Sequence, residues 1–135
     1  MTLCGRVRLV NKNNGAVIAR EVEPADTFWR RLRGLMLRGK FPRGKALLFK
    51  FKNPGRHSIH MFFVRFPIDL IYLDSGFRVV EARAWLRPWH LHRPKTVANY
   101  LIELPAGTIQ RKGISTGHKL SLKDKNFSRR KGYNR

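Results

Sequence analysis

Between residues 46 and 104 the apolar residues arrive in short runs, ALLFKF, SIHMFF, IDLIYL and NYLIEL, each closed by a turn signal or a charge. Runs of this length suit β-strands and are too short for a membrane helix or a helical bundle. Asn53-Pro54-Gly55, Pro67, Asp74-Ser75-Gly76 and Pro105-Ala106-Gly107 supply the breaks. The pattern predicts strands at 46–51, 58–63, 68–73 and 99–104. Residues 77–86 form a hairpin partner for 68–73, and 119–122 a short last strand. Near the start, 6–10 and 16–22 flank Asn11-Lys12-Asn13-Asn14-Gly15, which is hairpin chemistry. Residues 87–96, with Pro88 and Pro94, read as irregular, and 108–117 as a polar connection.

One segment has helical spacing. After Glu23-Pro24-Ala25, with Asp26 or Thr27 as the cap, Phe28, Leu32, Leu35 and Met36 make one apolar stripe. Gly39, Pro42 and Gly44 end it. The expected fold is therefore mainly β, a small barrel or sandwich, with one helix in the N-terminal third and a basic C-terminal tail. The length of 135 residues, 42% of them hydrophobic, suits one domain with a real core. Residues 1–122 are assigned to the compact body and 123–135 to the tail.

Charge is the second constraint. Lys plus Arg number 29 and Asp plus Glu 8, a net of +21. From Lys119 onward seven Lys or Arg face one Asp, a net of +6, so the body keeps +15. The tail alone does not explain the excess. Residues 28–45 hold Arg30, Arg31, Arg33, Arg38, Lys40, Arg43 and Lys45 with no acid, and between Glu23 and Glu81 the only acids are Asp26, Asp69 and Asp74. Solvated faces ordinarily interleave Glu with Lys. This imbalance, rich in Arg, points to an external polyanion, and nucleic acid is the commonest.

RLRGLMLR (31–38), ALLFKF (46–51), SIHMFFVRFPIDLIYLDSGFRVV (58–80), LRPW (86–89) and YLIELPAGTIQRKGISTGHKL (100–120) occur in an order and spacing that resemble the domain of unknown function 192 family. The resemblance covers about residues 16–122. It implies a compact, mostly β fold with a single helix near its start, and it leaves the activity open. The chain departs from the family pattern at Gly117-His118, where an aspartate often follows the glycine.

Each candidate site also has a plain structural reading. His57, His60 and Asp69 could form a base with its orienting carboxylate, but Asp69 within IDLIYLD reads as a buried acid satisfied by an arginine or by backbone donors. His57 and His60, three apart, would point to opposite faces of a strand. His90 and His92 could share a side, yet no third ligand stands at a diagnostic spacing, so neither metal nor cofactor is expected. Cys4 is the only cysteine, and no nucleophile or phosphate-loop motif is present. The loop carrying Arg87, Trp89, His92, Arg93 and Lys95 suits stacking on bases with phosphate contacts, as an alternative to tryptophans that merely anchor a loop. Arg111 and Lys112 extend the basic surface. In the tail Lys123, Lys125, Arg129, Arg130, Lys131 and Arg135 would neutralise phosphates. The reading is a cytoplasmic RNA-binding protein without catalysis. Its partners would be ribosomal RNA and neighbouring ribosomal proteins, with no membrane. The alternative is an enzyme or small-ligand binder with a pocket near His60, Asp69 and Trp89.

Overall fold

The computed structural model describes residues 7–25 and 40–124. Its strands are β1 (Val7–Asn11), β2 (Val17–Ala19), β3 (Glu21–Pro24), β4 (Lys45–Gly55), β5 (Ile59–His60), β6 (Ile68–Leu73), β7 (Val79–Leu86), β8 (Leu91–His92), β9 (Ala98–Pro105) and β10 (Leu120–Asp124). One short helix, α1 (Thr108–Lys112), is found among the described residues. They form a mainly β structure with three open sheets, ordered β10-β1-β2, β3-β4-β9-β6-β7 and β5-β8. The barrel alternative fails because the five-stranded sheet ends in two edges, β3 and β7, and does not close on itself.

The inner strands β6 and β9 of the five-stranded sheet are buried on both faces. Ile71, Leu73, Ile102 and Leu104 join Leu9, Ile18 and Leu120 of the three-stranded sheet in one cluster. Leu70, Tyr72 and Leu101 point the other way and pack with Met61, Val64 and Leu86. Every residue of β6 is buried. That explains why IDLIYL lacks polar alternation: a strand covered on both sides needs apolar residues at both parities. Each such Leu or Ile contributes about 1.5–3 kcal/mol on burial.

The hairpins β1–β2 and β6–β7 form as expected, both antiparallel. Six segments differ from expectation; among them, residues 16–22 split at Arg20 into β2 and β3, which lie in different sheets, and β4 runs through the predicted turn Asn53-Pro54-Gly55. Residues 58–63 do not make a continuous strand: only Ile59–His60 pairs, and Phe63 has φ 61°, which no strand allows. Leu91–His92, within the segment read as irregular, supplies its partner strand. The polar connection contains α1, and β10 runs on to Asp124, opposite Val7. The helix predicted over 28–37 lies outside the described residues, as does the tail from residue 125.

α1 is held by its ends. Gly107 enters at φ 91° and Gly113 leaves at φ 63°, a left-handed exit that favours glycine. The Gly113 N–H donates to Gln110 O at 3.3 Å and the Ile114 N–H to Ile109 O at 3.0 Å. Arg111 and Lys112 occupy the last turn, where cations suit the helix dipole.

Candidate nucleic-acid interface

The segments after β5 and before β8 lie side by side. The Trp89 N–H donates to Met61 O at 2.7 Å, and the Met61 N–H to His90 O at 2.8 Å. Met61 is buried, so this doublet fastens the loop pair to the core. The aromatic residues beside it point outward. Phe62 is 47% exposed, Phe63 50% and Trp89 58%. Their rings still touch: Phe63 meets Trp89 edge-on with centroids 4.9 Å apart, Phe62 lies 6.0 Å from Trp89, and His60 lies 4.8 Å from Phe62. The result is a small aromatic platform open to solvent. Phe63 and Trp89 have φ of 61° and 66°. Left-handed backbone at bulky residues costs on the order of 1–3 kcal/mol each and concentrates at functional positions. Arg65, Arg87 and Arg93, all exposed, flank the platform in sequence.

Glu81 of β7 ties down the far side of this loop. One carboxylate oxygen accepts the Lys95 N–H at 2.9 Å, the Thr96 N–H at 3.0 Å and the Thr96 hydroxyl at 2.7 Å; the other meets His92 Nε2 at 3.1 Å. Burial pushes the Glu81 carboxyl up, but these hydrogen bonds together outweigh it and hold the group below its ordinary value of 4.5. Tyr72, fully buried, donates its hydroxyl to His57 O at 3.2 Å. Burial first, and then the charges of Glu81 and Glu103, push that phenol up.

Asp69 has a structural assignment. Its carboxylate is fully buried and accepts the Trp85 N–H and the Ile109 N–H, each at 2.9 Å. The first donor sits in a bulge. Between the pairs Ile68↔Leu86 and Leu70↔Arg83, β7 holds one residue more than β6. Trp85, at φ 54°, is thrown out to solvent there. The second donor is the first turn of α1. One acid thus fastens a bulge and a helix to β6, and among the described residues no hydrogen bond joins it to His60. His57 stacks on Phe51 with centroids 3.9 Å apart, and its Nε2 meets Asn53 O at 2.9 Å. His118, at the family's aspartate position, places Nδ1 2.9 Å from the buried Asn11 amide and accepts the Ser115 N–H at 3.2 Å.

The predicted binding residues divide into groups. Arg87, Trp89, Arg93 and Lys95 are exposed on the platform loop, whereas His92 is turned inward onto Glu81. Arg43, Arg111 and Lys112 line one cleft together with Arg20, which the sequence did not single out. Lys40 is exposed. Lys45 pairs with Glu21 at 3.0 Å, and Lys123 is exposed on β10 opposite Arg8. Arg30, Arg31, Arg33, Arg38, Lys125, Arg129, Arg130, Lys131 and Arg135 lie outside the described residues. Sequence reasoning missed Phe62 and Phe63. Their signal was adjacency, since two consecutive bulky residues cannot both face inward from one strand. No three His, Cys, Asp or Glu side chains converge as metal ligands among the described residues. None of the described helices is long and apolar enough to cross a membrane.

The comparisons agree with this architecture. Residues 9–122 match the model of the DUF192 family, described as "Uncharacterized ACR". A "UPF0127 protein" of Thermococcus gammatolerans is 39% identical over 113 residues, covering 84% of this chain and 73% of the relative. A "UPF0127 protein" of Pyrococcus horikoshii is 44% identical over 101 residues, covering 73% of this chain and 84% of the relative. A solved structure from Sinorhizobium meliloti, described as a candidate transcription regulator, superposes with a TM-score of 0.77 at 27% identity, covering 87% of this chain and 92% of its own. A protein of unknown function from Novosphingobium aromaticivorans gives 0.75 at 23% identity, covering 86% and 83%. The match over nearly the whole body places the chain in the domain of unknown function 192 family.

Proposed function

We propose that this protein binds RNA in the cytoplasm, in association with ribosomal particles, and that the Phe62–Phe63–Trp89 platform receives unpaired bases. The observation that carries this reading is the exposure of Phe63 and Trp89 on left-handed backbone, locked to the core by the Met61 doublet. Stacking on aromatic faces tolerates any base. The exposed Arg65, Arg87 and Arg93 supply phosphate contacts around it, and a chain at +21 gains from a polyanion at every point of the surface. Unpaired RNA is favoured here over duplex DNA because stacked base pairs offer no free face to a protruding ring.

The test is fluorescence-monitored titration of the full chain with a single-stranded RNA, with duplex DNA of equal length as competitor. Trp89→Ala and Phe63→Ala are each expected to weaken RNA binding about tenfold, within the ~1–3 kcal/mol assigned to one stacked base. Unchanged affinity in both variants, or stronger binding to the duplex, rejects the platform.

A further inference from the structure

A second feature lies away from the aromatic platform. A cleft of about 340 Å³ opens between β2, the turn before β4 and the end of α1. Val17, Ile18 and Ala19 form its apolar side, and Gly44 its edge. Its four ionisable lining residues, Arg20, Arg43, Arg111 and Lys112, are all cations drawn from three separate stretches of chain. Among the described residues no carboxylate lines it. Glu21, next to Arg20, is paired with Lys45 at 3.0 Å.

The walls are fixed without help from these cations. Asn14 Nδ2 donates to Lys112 O at 3.0 Å and to Gly113 O at 3.2 Å, clamping the end of α1 to the β1–β2 turn. Arg20 and Glu21 both donate their N–H groups to Gly44 O, at 2.8 and 3.1 Å, which docks the opposite wall. Gly44 has φ +89°, a conformation that suits glycine. Arg111 is also aimed: its Nη2 donates to the Thr108 hydroxyl at 3.3 Å. A Cβ at Gly107 would stand 3.0 Å from its other terminal nitrogen. A side chain at 107 would thus make the guanidinium give by a few tenths of an ångström. Among the described residues β2 is the edge strand of its sheet.

We infer that this cleft is a phosphate-binding site, which takes a phosphomonoester no larger than a mononucleotide, either free or as the 5′ end of an RNA. Several arginines around one small volume repel one another, and a multiply charged anion removes that repulsion. The guanidinium fork matches the paired oxygens of a phosphate. The volume lies at the lower end of the ~300–1,000 Å³ typical of small-ligand sites. The inference uses none of the platform residues, so it stands or falls apart from the base-stacking reading.

The experiment titrates the full chain with inorganic phosphate and with adenosine monophosphate, following thermal unfolding and amide resonances, since a ligand of the folded state raises the midpoint. Stabilisation is expected with both, and the shifted resonances should cluster at residues 17–20, 43–44 and 111–113. Arg43→Gln and Arg111→Gln should each weaken binding about tenfold or more. Arg56→Gln, at the far end of β4, should change nothing. A 5′-phosphorylated RNA that displaces adenosine monophosphate where its 5′-hydroxyl twin does not identifies RNA as the source. Displacement by neither leaves the free phosphomonoester as the ligand. Both outcomes support the site. Trp89→Ala should retain phosphate binding even if the platform is abolished. If Arg56→Gln weakens phosphate as much as Arg111→Gln, or if shifts spread over the basic surface at large, the cleft is only part of a diffuse cationic face and the inference is wrong.

Discussion

Asp69 shows how one residue can look catalytic in a sequence and prove structural in a fold. An acid inside IDLIYL, near histidines in the chain, invites the role of an orienting carboxylate. Its oxygens instead accept the Trp85 and Ile109 N–H groups, the unpaired donors of a bulge and of a helix start. Burying a carboxylate is tolerable only when such donors replace water. Removing it leaves two part-buried N–H groups without their acceptors. Asp69→Ala is therefore expected to lower stability by about 2–5 kcal/mol, from two charge-assisted hydrogen bonds and the groups they leave behind. Urea unfolding of the variant measures this. A variant as stable as the parent would reopen the catalytic reading. Lys45 teaches the complementary lesson. Within residues 28–45 it belongs to an acid-free stretch, but parallel pairing of β3 with β4 sets Glu21 opposite it. At an exposed surface this pair contributes only about 0–1 kcal/mol, so it matters as local neutralisation more than as stability.

At the level of elements, the loop around β8 is held by Glu81 more than by its own two-residue pairing. A carboxyl held below its ordinary value in the folded chain stabilises fully above that value, and the contribution is lost as pH falls through the folded value. Protonation removes the acceptor of the Lys95 and Thr96 N–H groups. Hydrogen-exchange protection at these two amides should thus be constant near neutrality and fall once pH drops below the ordinary carboxylate value of 4.5. Glu81→Gln should show reduced protection at every pH and no such decline; a variant matching the parent would show that Glu81 does not hold the loop. None of this was legible beforehand, because residues 87–96 carry neither alternation nor helical spacing and their order comes from a strand outside the segment. What was legible is what local periodicity encodes. The two hairpins, β9 and the apolar start of β4 followed from apolar runs, although β4 runs on through the turn signal at Asn53-Pro54-Gly55. The reading of SIHMFF as a strand failed because His60-Met61-Phe62-Phe63 is shaped by the Met61 doublet with His90 and Trp89, a contact almost 30 residues away. The platform was half visible, in Trp89 but not in Phe62 and Phe63. The cleft was visible only as scattered cations, since no sequence rule places Arg20 beside Arg111.

For the molecule as a whole, the open question is why a chain with two well-filled cores carries a charge of +21. Like charges at this density oppose compaction, so the native state is one in which packing prevails against self-repulsion. The aromatic platform and the cationic cleft each use part of that charge, and both would meet phosphates. A polyanion bridging them would release counterions in proportion to the phosphates contacted. For single strands the logarithm of affinity falls with the logarithm of salt by about 0.7 per contact, so five contacts would cost on the order of a hundredfold for a fourfold rise in salt. Co-sedimentation of the native protein with ribosomal particles at two salt concentrations, with and without ribonuclease, measures this in the setting the proposal names. Attachment should weaken steeply with salt and disappear after nuclease. A protein that sediments alone under all four conditions, or whose attachment ignores salt, would mean that the cationic surface serves some purpose other than RNA.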